Sequence, residues 1–223
     1  MYEHTWQNGD KVALPATKAI CVGRNYQAHA AELNNPVPEQ PVLFMKPDTS
    51  LRAFAENIHR PTDRGSCHYE MELAVLIGHS SSGTINGDPM ELVAGYGLAL
   101  DLTLRDLQKQ LQQAGKPWER AKAFAGSCLL SNWIPAGEVS QSLQLSLHIN
   151  GELRQQATTA DMIFALPQLL DEASQAFDLR AGDVLLTGTP AGVGALADHD
   201  ELELSLLDRQ QNKSWQWHTR VAR

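Results

Sequence analysis

The chain has 223 residues, 43% of them hydrophobic, and a formal net charge of −8. That length suits one large domain with at most a short appendage, and the acidic balance excludes a general nucleic-acid binder, which needs a basic face to meet phosphates. The apolar runs are too short to span a membrane, "MYEHTWQNGDKV" has no apolar signal core, and Cys21, Cys67 and Cys128 form neither a disulfide framework nor a zinc pattern. The expectation is a reduced, cytoplasmic protein with no membrane and no nucleic-acid partner.

Residues 1–17 read as a short β appendage with a turn near Asn8-Gly9, ahead of a main domain over 18–223. "KAICVG" is a short buried strand ended by Gly23, and "NYQAHAAELNN" a short helix that ends at Asn34-Asn35-Pro36. "PVLFMKP" is a strand between prolines, and residues 48–66 are loop-rich. "YEMELAVLIG" reads as one continuous strand, and "DPMELVAGYGLAL" as a short helix leading into another. "TLRDLQKQLQQAG" is a helix with Thr103 as N-cap and Gly115 as stop. "LQLSLHINGELRQQA" alternates about Asn150-Gly151, a strong hairpin signal. "TTADMIFALPQLLDEASQAF" begins with capping residues and becomes a helix. "AGDVLLTGTPAGVG" is a strand running into a glycine-rich loop, and "DELELSLLD" with "SWQWHTRV" forms a closing hairpin. Short strands dominate without regular strand-helix alternation, which argues against a Rossmann sheet.

Side chains alternate across a strand. Tyr69, Met71, Leu73, Val75 and Ile77 therefore share one face, and His68, Glu70, Glu72, Ala74 and Leu76 the other. Two carboxylates on a strand fit for burial lose several kcal/mol of solvation unless a cation or hydrogen-bond donors meet them, and hard divalent cations take such oxygens. Asp101, at the end of the strand "GLALD", is either a third ligand or an acid favoured by the following helix dipole. His29 and Glu32, three apart on a helix, form either a base with its orienting partner or a plain surface pair. Arg105 and Gln108 have the same spacing and suit a carboxylate or a solvated face. Lys122 is a snorkelling surface residue or a buried cation. "LLTGTPAGVG" is a structural turn or an anion-binding loop, and lacks the Lys-Ser/Thr ending of a Walker loop.

The order of seven blocks is more specific than any one of them. "CVGRNYQAHAAEL", "PVLFMKP", "YEMELAVLIG", "GYGLALDLTLRDLQ", "PWERAKAF", "NGELRQQATTADMIF" and "AGDVLLTGTPAGVG" together resemble the fumarylacetoacetate hydrolase family, nearest its small members that act on acylpyruvates or oxaloacetate. The resemblance implies an α+β, β-rich fold, a mixed β-roll of several sheets with flanking helices, and a homodimer. It implies that Glu70, Glu72 and Asp101 hold one Mg2+ or Mn2+ per chain, that His29, Glu32 and Lys122 are catalytic, and that Arg24, Arg105, Gln108, Thr189 and, as an addition, Lys46 contact a small 2-oxo acid. The helix of His29 and Glu32 would act as a lid ordered by substrate. The leading expectation is hydrolysis of a C–C bond in an acylpyruvate, such as acetylpyruvate or fumarylpyruvate, to pyruvate and a carboxylic acid. The alternatives are decarboxylation or keto-enol tautomerisation of oxaloacetate and, outside enzymes, a binder of small dicarboxylates.

Overall fold

Short strands, the central ones buried along their whole length, frame the molecule, whose computed structural model describes residues 2–32, 36–140 and 142–223. In chain order they are β1 (Ala19–Val22), helix α1 (Gln27–Glu32), β2 (Leu43–Lys46), β3 (Leu51–Ala53), β4 (Cys67–Tyr69), β5 (Met71–Ile77), β6 (Val93–Asp101), β7 (Thr103–Leu104), α2 (Arg105–Gln113) and α3 (Glu119–Lys122). There follow β8 (Cys128–Leu130), β9 (Ile134–Pro135), β10 (Leu143–Ile149), β11 (Glu152–Thr158), α4 (Leu166–Phe177), β12 (Val184–Leu186), β13 (Gly194–Ala195), β14 (Glu201–Asp208) and β15 (Lys213–Arg220). An eight-stranded mixed sheet runs β2-β1-β12-β5-β6-β8-β3, with β9 paired to β6; a four-stranded sheet runs β11-β10-β14-β15, and a three-stranded one β13-β4-β7. This is the β-rich α+β arrangement expected. Among the described residues no helix is long and apolar enough to cross a membrane.

The alternation read in the sequence is the division between two cores. Met71, Leu73, Val75 and Ile77 pack with Leu98, Leu100, Leu102 and Leu104 in one cluster, while Ala74, Leu76 and Ala99 from the opposite face join Cys21, Leu130 and Trp133 in a second. Burying each such leucine stabilises the fold by about 1.5–3 kcal/mol. Residues before β1 lie against the second core, where Trp133 Nε1 donates to His4 Nδ1 at 2.9 Å and His4 Nε2 meets the Gly182 carbonyl at 3.0 Å.

The single strand expected over "YEMELAVLIG" is two. The chain leaves the large sheet at Glu70: β5 pairs with β6, and β4 with β7 in the three-stranded sheet. The partner strand makes the same transfer at Leu102, and the Asp101 N–H donates to the Glu70 carbonyl at 2.8 Å across the corner. Side-chain alternation persists through the corner while the hydrogen-bond partners change. Glu70 and Asp101 are thus delivered to the corner where two sheets meet.

Other local expectations are corrected. Thr103 does not cap α2; it lies in β7 and its hydroxyl donates to the Asp101 carbonyl at 3.3 Å. Gly115 does stop the helix, at φ +61°. The capping box of Thr158 and Asp161 closes only a short 3-10 turn, and the helix begins later, at Leu166. The stretch 48–66 contains β3, paired in parallel with β8. Asn150 and Gly151 take φ 53° and 80°, as the expected hairpin requires. The expected helix exit at Asn34-Asn35 lies outside the described residues.

Candidate active site

The β4-β5 and β6-β7 corners bring three acids together. Glu70, Glu72 and Asp101 are 5%, 1% and 1% exposed, and they offer oxygens that all lie within 4.8 Å of one another. Such a set of hard donors fits a divalent cation and leaves coordination positions for water or substrate oxygens. Their surroundings differ. Lys122 Nζ donates to Glu70 Oε2 at 2.7 Å and to Asp101 Oδ2 at 2.6 Å. Lys46 Nζ lies 2.7 Å from Asp101 Oδ1, an ion pair outside hydrogen-bond alignment. Arg105 donates to Glu70 Oε1. Among the described residues no cation pairs with Glu72; the Gly188 N–H donates to its Oε2 at 2.6 Å.

The proton affinities follow. Burial would raise Glu70, but the Lys122 and Arg105 cations outweigh it and hold the group at about 2. Burial, reinforced by the Asp101 charge, pushes Glu72 well above the usual carboxylate range. Lys122 loses solvation, yet Asp101 and Glu70 more than compensate and raise it above an ordinary lysine, so it stays an ammonium.

Above the acids, α1 carries His29, 2% exposed. Its Nδ1 lies 3.3 Å from Glu32 Oε2, which leaves Nε2 for chemistry. Glu32 is itself held by the Gly192 N–H, 3.1 and 3.2 Å from its two oxygens. Burial lowers the His29 pKa despite the neighbouring Glu70 and Glu32 charges, so the imidazole is neutral near pH 7. The α1 face is reached by the turn after β1, where Asn25 is anchored: its Nδ2 donates to the Thr187 and Phe164 carbonyls at 2.8 and 3.1 Å.

A cavity of about 200 Å³ opens between these parts. Arg24, His29, Glu70, Arg105, Gln108 and Lys122 line it, six of the residues that the family resemblance assigns to the site. Arg105 is steadied by Gln108, whose Oε1 accepts from it at 2.6 Å. Five expected site residues lie outside this lining: Glu32, Glu72 and Asp101, placed above, and Lys46 and Thr189. Lys46 is fully buried beneath Asp101, where it also donates to the Ser127 carbonyl and hydroxyl at 3.1 and 3.0 Å. Thr189 is 3% exposed, and its hydroxyl donates to the Met71 carbonyl at 2.8 Å. Lys109, Gln112 and Trp118 also line the cavity but are absent from the expected site. The first two continue the helical spacing of Arg105 and Gln108, a signal available in the sequence.

Comparison with known proteins places this geometry. Residues 18–214 match the family described as fumarylacetoacetate (FAA) hydrolase C-terminal. The oxaloacetate tautomerase YcgM of Escherichia coli (strain K12) is 50% identical over 209 residues, covering 92% of this chain and 95% of that protein. A mitochondrial oxaloacetate tautomerase of Caenorhabditis elegans is 42% identical, over 89% of this chain and 94% of its own length. The crystal structure of fumarylpyruvate hydrolase from Pseudomonas aeruginosa, in complex with Mn2+ and pyruvate, superposes with a TM-score of 0.88 at 32% identity, covering 99% of this chain and 95% of that one.

Proposed function

We propose, from the premise that this chain belongs to the fumarylacetoacetate hydrolase family, that it is a metal-dependent enzyme interconverting the keto and enol forms of oxaloacetate. The observation that carries the reading is a small, cation-lined cavity that holds His29 together with Glu70, one member of a buried acid triad. The 50% identity to a protein named for that reaction supports the choice of substrate. Charge narrows the choice. Three acids meet three cations, Lys46, Lys122 and Arg105, so a divalent cation leaves an excess of positive charge that a dicarboxylate, such as oxaloacetate or fumarylpyruvate, neutralises more fully than a monocarboxylate such as acetylpyruvate.

Glu70, Glu72 and Asp101 would hold Mg2+ or Mn2+, which supplies Lewis acidity toward the 2-oxo oxygen of the substrate. Everything else is done by the chain. Arg24, Arg105 and Gln108 orient the carboxylates. His29, with its Nδ1 side held by Glu32, takes the C3 proton and delivers it to the 2-oxygen to complete the enol, and the reverse direction runs the same two transfers backwards; Glu32 steadies the imidazolium that forms between them. The Lys122 ammonium stabilises negative charge as it develops on the 2-oxygen. The proton traffic predicts a pH profile. His29 must be neutral, and its pKa lies below the ordinary 6.5. Hence kcat/KM should fall on acidification with a limb centred below 6.5 and stay level just above it, as initial rates across that range would show. A limb centred above 6.5 contradicts the assignment.

A second reading, hydrolytic cleavage of acylpyruvates, is favoured by the same His29-Glu32 pair, which can also strip a proton from water, and by the fold neighbour named fumarylpyruvate hydrolase. Purified enzyme with Mg2+, offered oxaloacetate, acetylpyruvate and fumarylpyruvate side by side, separates the two. We expect the chain to act as a homodimer, with light scattering returning twice the 24.5 kDa chain mass.

A further inference from the structure

Gln155 comes from β11, at the edge of the four-stranded sheet, yet it is 1% exposed and reaches across to β5 and the loop after β12. Its Oε1 accepts from the Met71 N–H at 2.9 Å. Its Nε2 donates to the Thr189 hydroxyl and to the Pro190 carbonyl, both at 2.8 Å. The Thr189 hydroxyl in turn donates to the Met71 carbonyl at 2.8 Å, closing a circuit. Both amide hydrogens and the carbonyl are used, and a flipped amide would present donors to a donor.

The groups so joined are the two halves of the site. Met71 stands between Glu70 and Glu72. Thr189 and Pro190 belong to the loop whose Gly188 N–H holds Glu72 and whose Gly192 N–H holds Glu32. The register of β10 and β11 shifts between Leu147 and His148, which leaves Arg154 as an extra residue beside Gln155. The Arg154 carbonyl presses against Gly192 so closely that a Cβ there would lie 1.9 Å from it, and Gly192 has φ +99°. The bulge seats the loop, and the amide pins it to the acid-bearing strand.

We propose that Gln155 is a positioning residue that sets the loop of Thr187–Gly192 in register with Glu70 and Glu72, and so holds the metal ligands and the His29-Glu32 pair in a common frame. The inference rests on the proposed roles of those residues and extends them to a side chain that touches no reactant.

The test uses two near-isosteric variants of the full chain, Gln155→Met and Gln155→Glu, at a temperature where circular dichroism shows both folded. Mn2+ affinity of the metal-free protein is measured by calorimetry, hydrogen exchange is followed over residues 187–192, and kcat and KM are measured on oxaloacetate. Partners behind metal ligands typically carry about 10–100-fold in affinity or activity. Gln155→Met should weaken Mn2+ binding about tenfold or more, lower kcat about 10–100-fold with a smaller change in KM, and deprotect 187–192. Gln155→Glu keeps an acceptor for Met71 but loses both donors, so it should deprotect 187–192 while retaining more Mn2+ affinity than the methionine variant. As a control, Ser174→Ala removes part-buried hydrogen bonds to Ser81 and Gly83 away from the site and should lower Tm without moving the other readouts. Wild-type Mn2+ affinity and wild-type exchange in Gln155→Met, with only Tm reduced, would overturn the proposal. If the wild type binds Mn2+ but leaves oxaloacetate untouched, the oxaloacetate reading fails, while affinity and exchange still decide the role of Gln155.

Discussion

Glu72→Ala should weaken Mn2+ binding by about 100-fold or more and bring oxaloacetate tautomerisation down to the metal-only background. Calorimetry on the metal-free protein, beside initial rates, measures both. Glu72 is the most informative of the three acids because, among the described residues, no cation forms an ion pair with it; the Gly188 N–H donates to it. Asp101→Ala, by contrast, takes the partner from Lys46 and Lys122, both buried. An uncompensated buried charge costs about 3–5 kcal/mol, so that variant would confuse loss of metal with loss of fold. Removing Glu72 also relieves a buried carboxyl that burial and Asp101 push toward the neutral form, which offsets part of the cost of leaving the Gly188 N–H without its acceptor. Undiminished Mn2+ affinity in Glu72→Ala would show that the triad is not the ligand set.

The second large effect is at His29. Loss of a general base typically costs about 10²–10⁴-fold, and tautomerisation is proton transfer throughout, so His29→Ala should lose that factor in kcat with Mn2+ affinity intact. The imidazole is 2% exposed; its removal leaves a space that added imidazole can enter, and partial rescue by imidazole is expected. Decarboxylation of oxaloacetate depends chiefly on stabilising charge at the 2-oxygen and should fall much less in the same preparation, once spontaneous and free-metal rates are subtracted. Equal losses in the two reactions would place His29 in a step they share. Unchanged tautomerisation would remove it from the mechanism.

Much of this was legible in the residues. Alternation assigned Glu70 and Glu72 to the face opposite Met71 and Leu73, and those faces are the two cores. Asn150-Gly151 marked its hairpin because few residues other than Asn and Gly accept positive φ. The corner at Glu70 was hidden, since periodicity records which face a side chain takes and is silent about which strand accepts its N–H. For the same reason the proximity of Asp101 to Glu70 came only with the register of β5 and β6. Family resemblance drew attention to Lys46 and Thr189 by identity, yet what their polar atoms touch depends on Ser127, Gln155 and Met71, distant in sequence. The reaction was the least legible part. A histidine beside a carboxylate serves water attack and proton shuttling alike, so the pair does not choose between them; the family resemblance put hydrolysis first, whereas the named relatives favour oxaloacetate.

The central claim is proton transfer at C3 of oxaloacetate without loss of carbon. Its most direct measurement follows freshly dissolved enol-oxaloacetate by ultraviolet absorbance, with and without enzyme and Mg2+, while pyruvate is assayed in the same samples. The account predicts that enzyme speeds relaxation to the same keto-enol equilibrium, that chelation abolishes the effect, and that pyruvate does not rise in step. Enol decay at the spontaneous rate, together with rapid cleavage of acetylpyruvate or fumarylpyruvate, would contradict it.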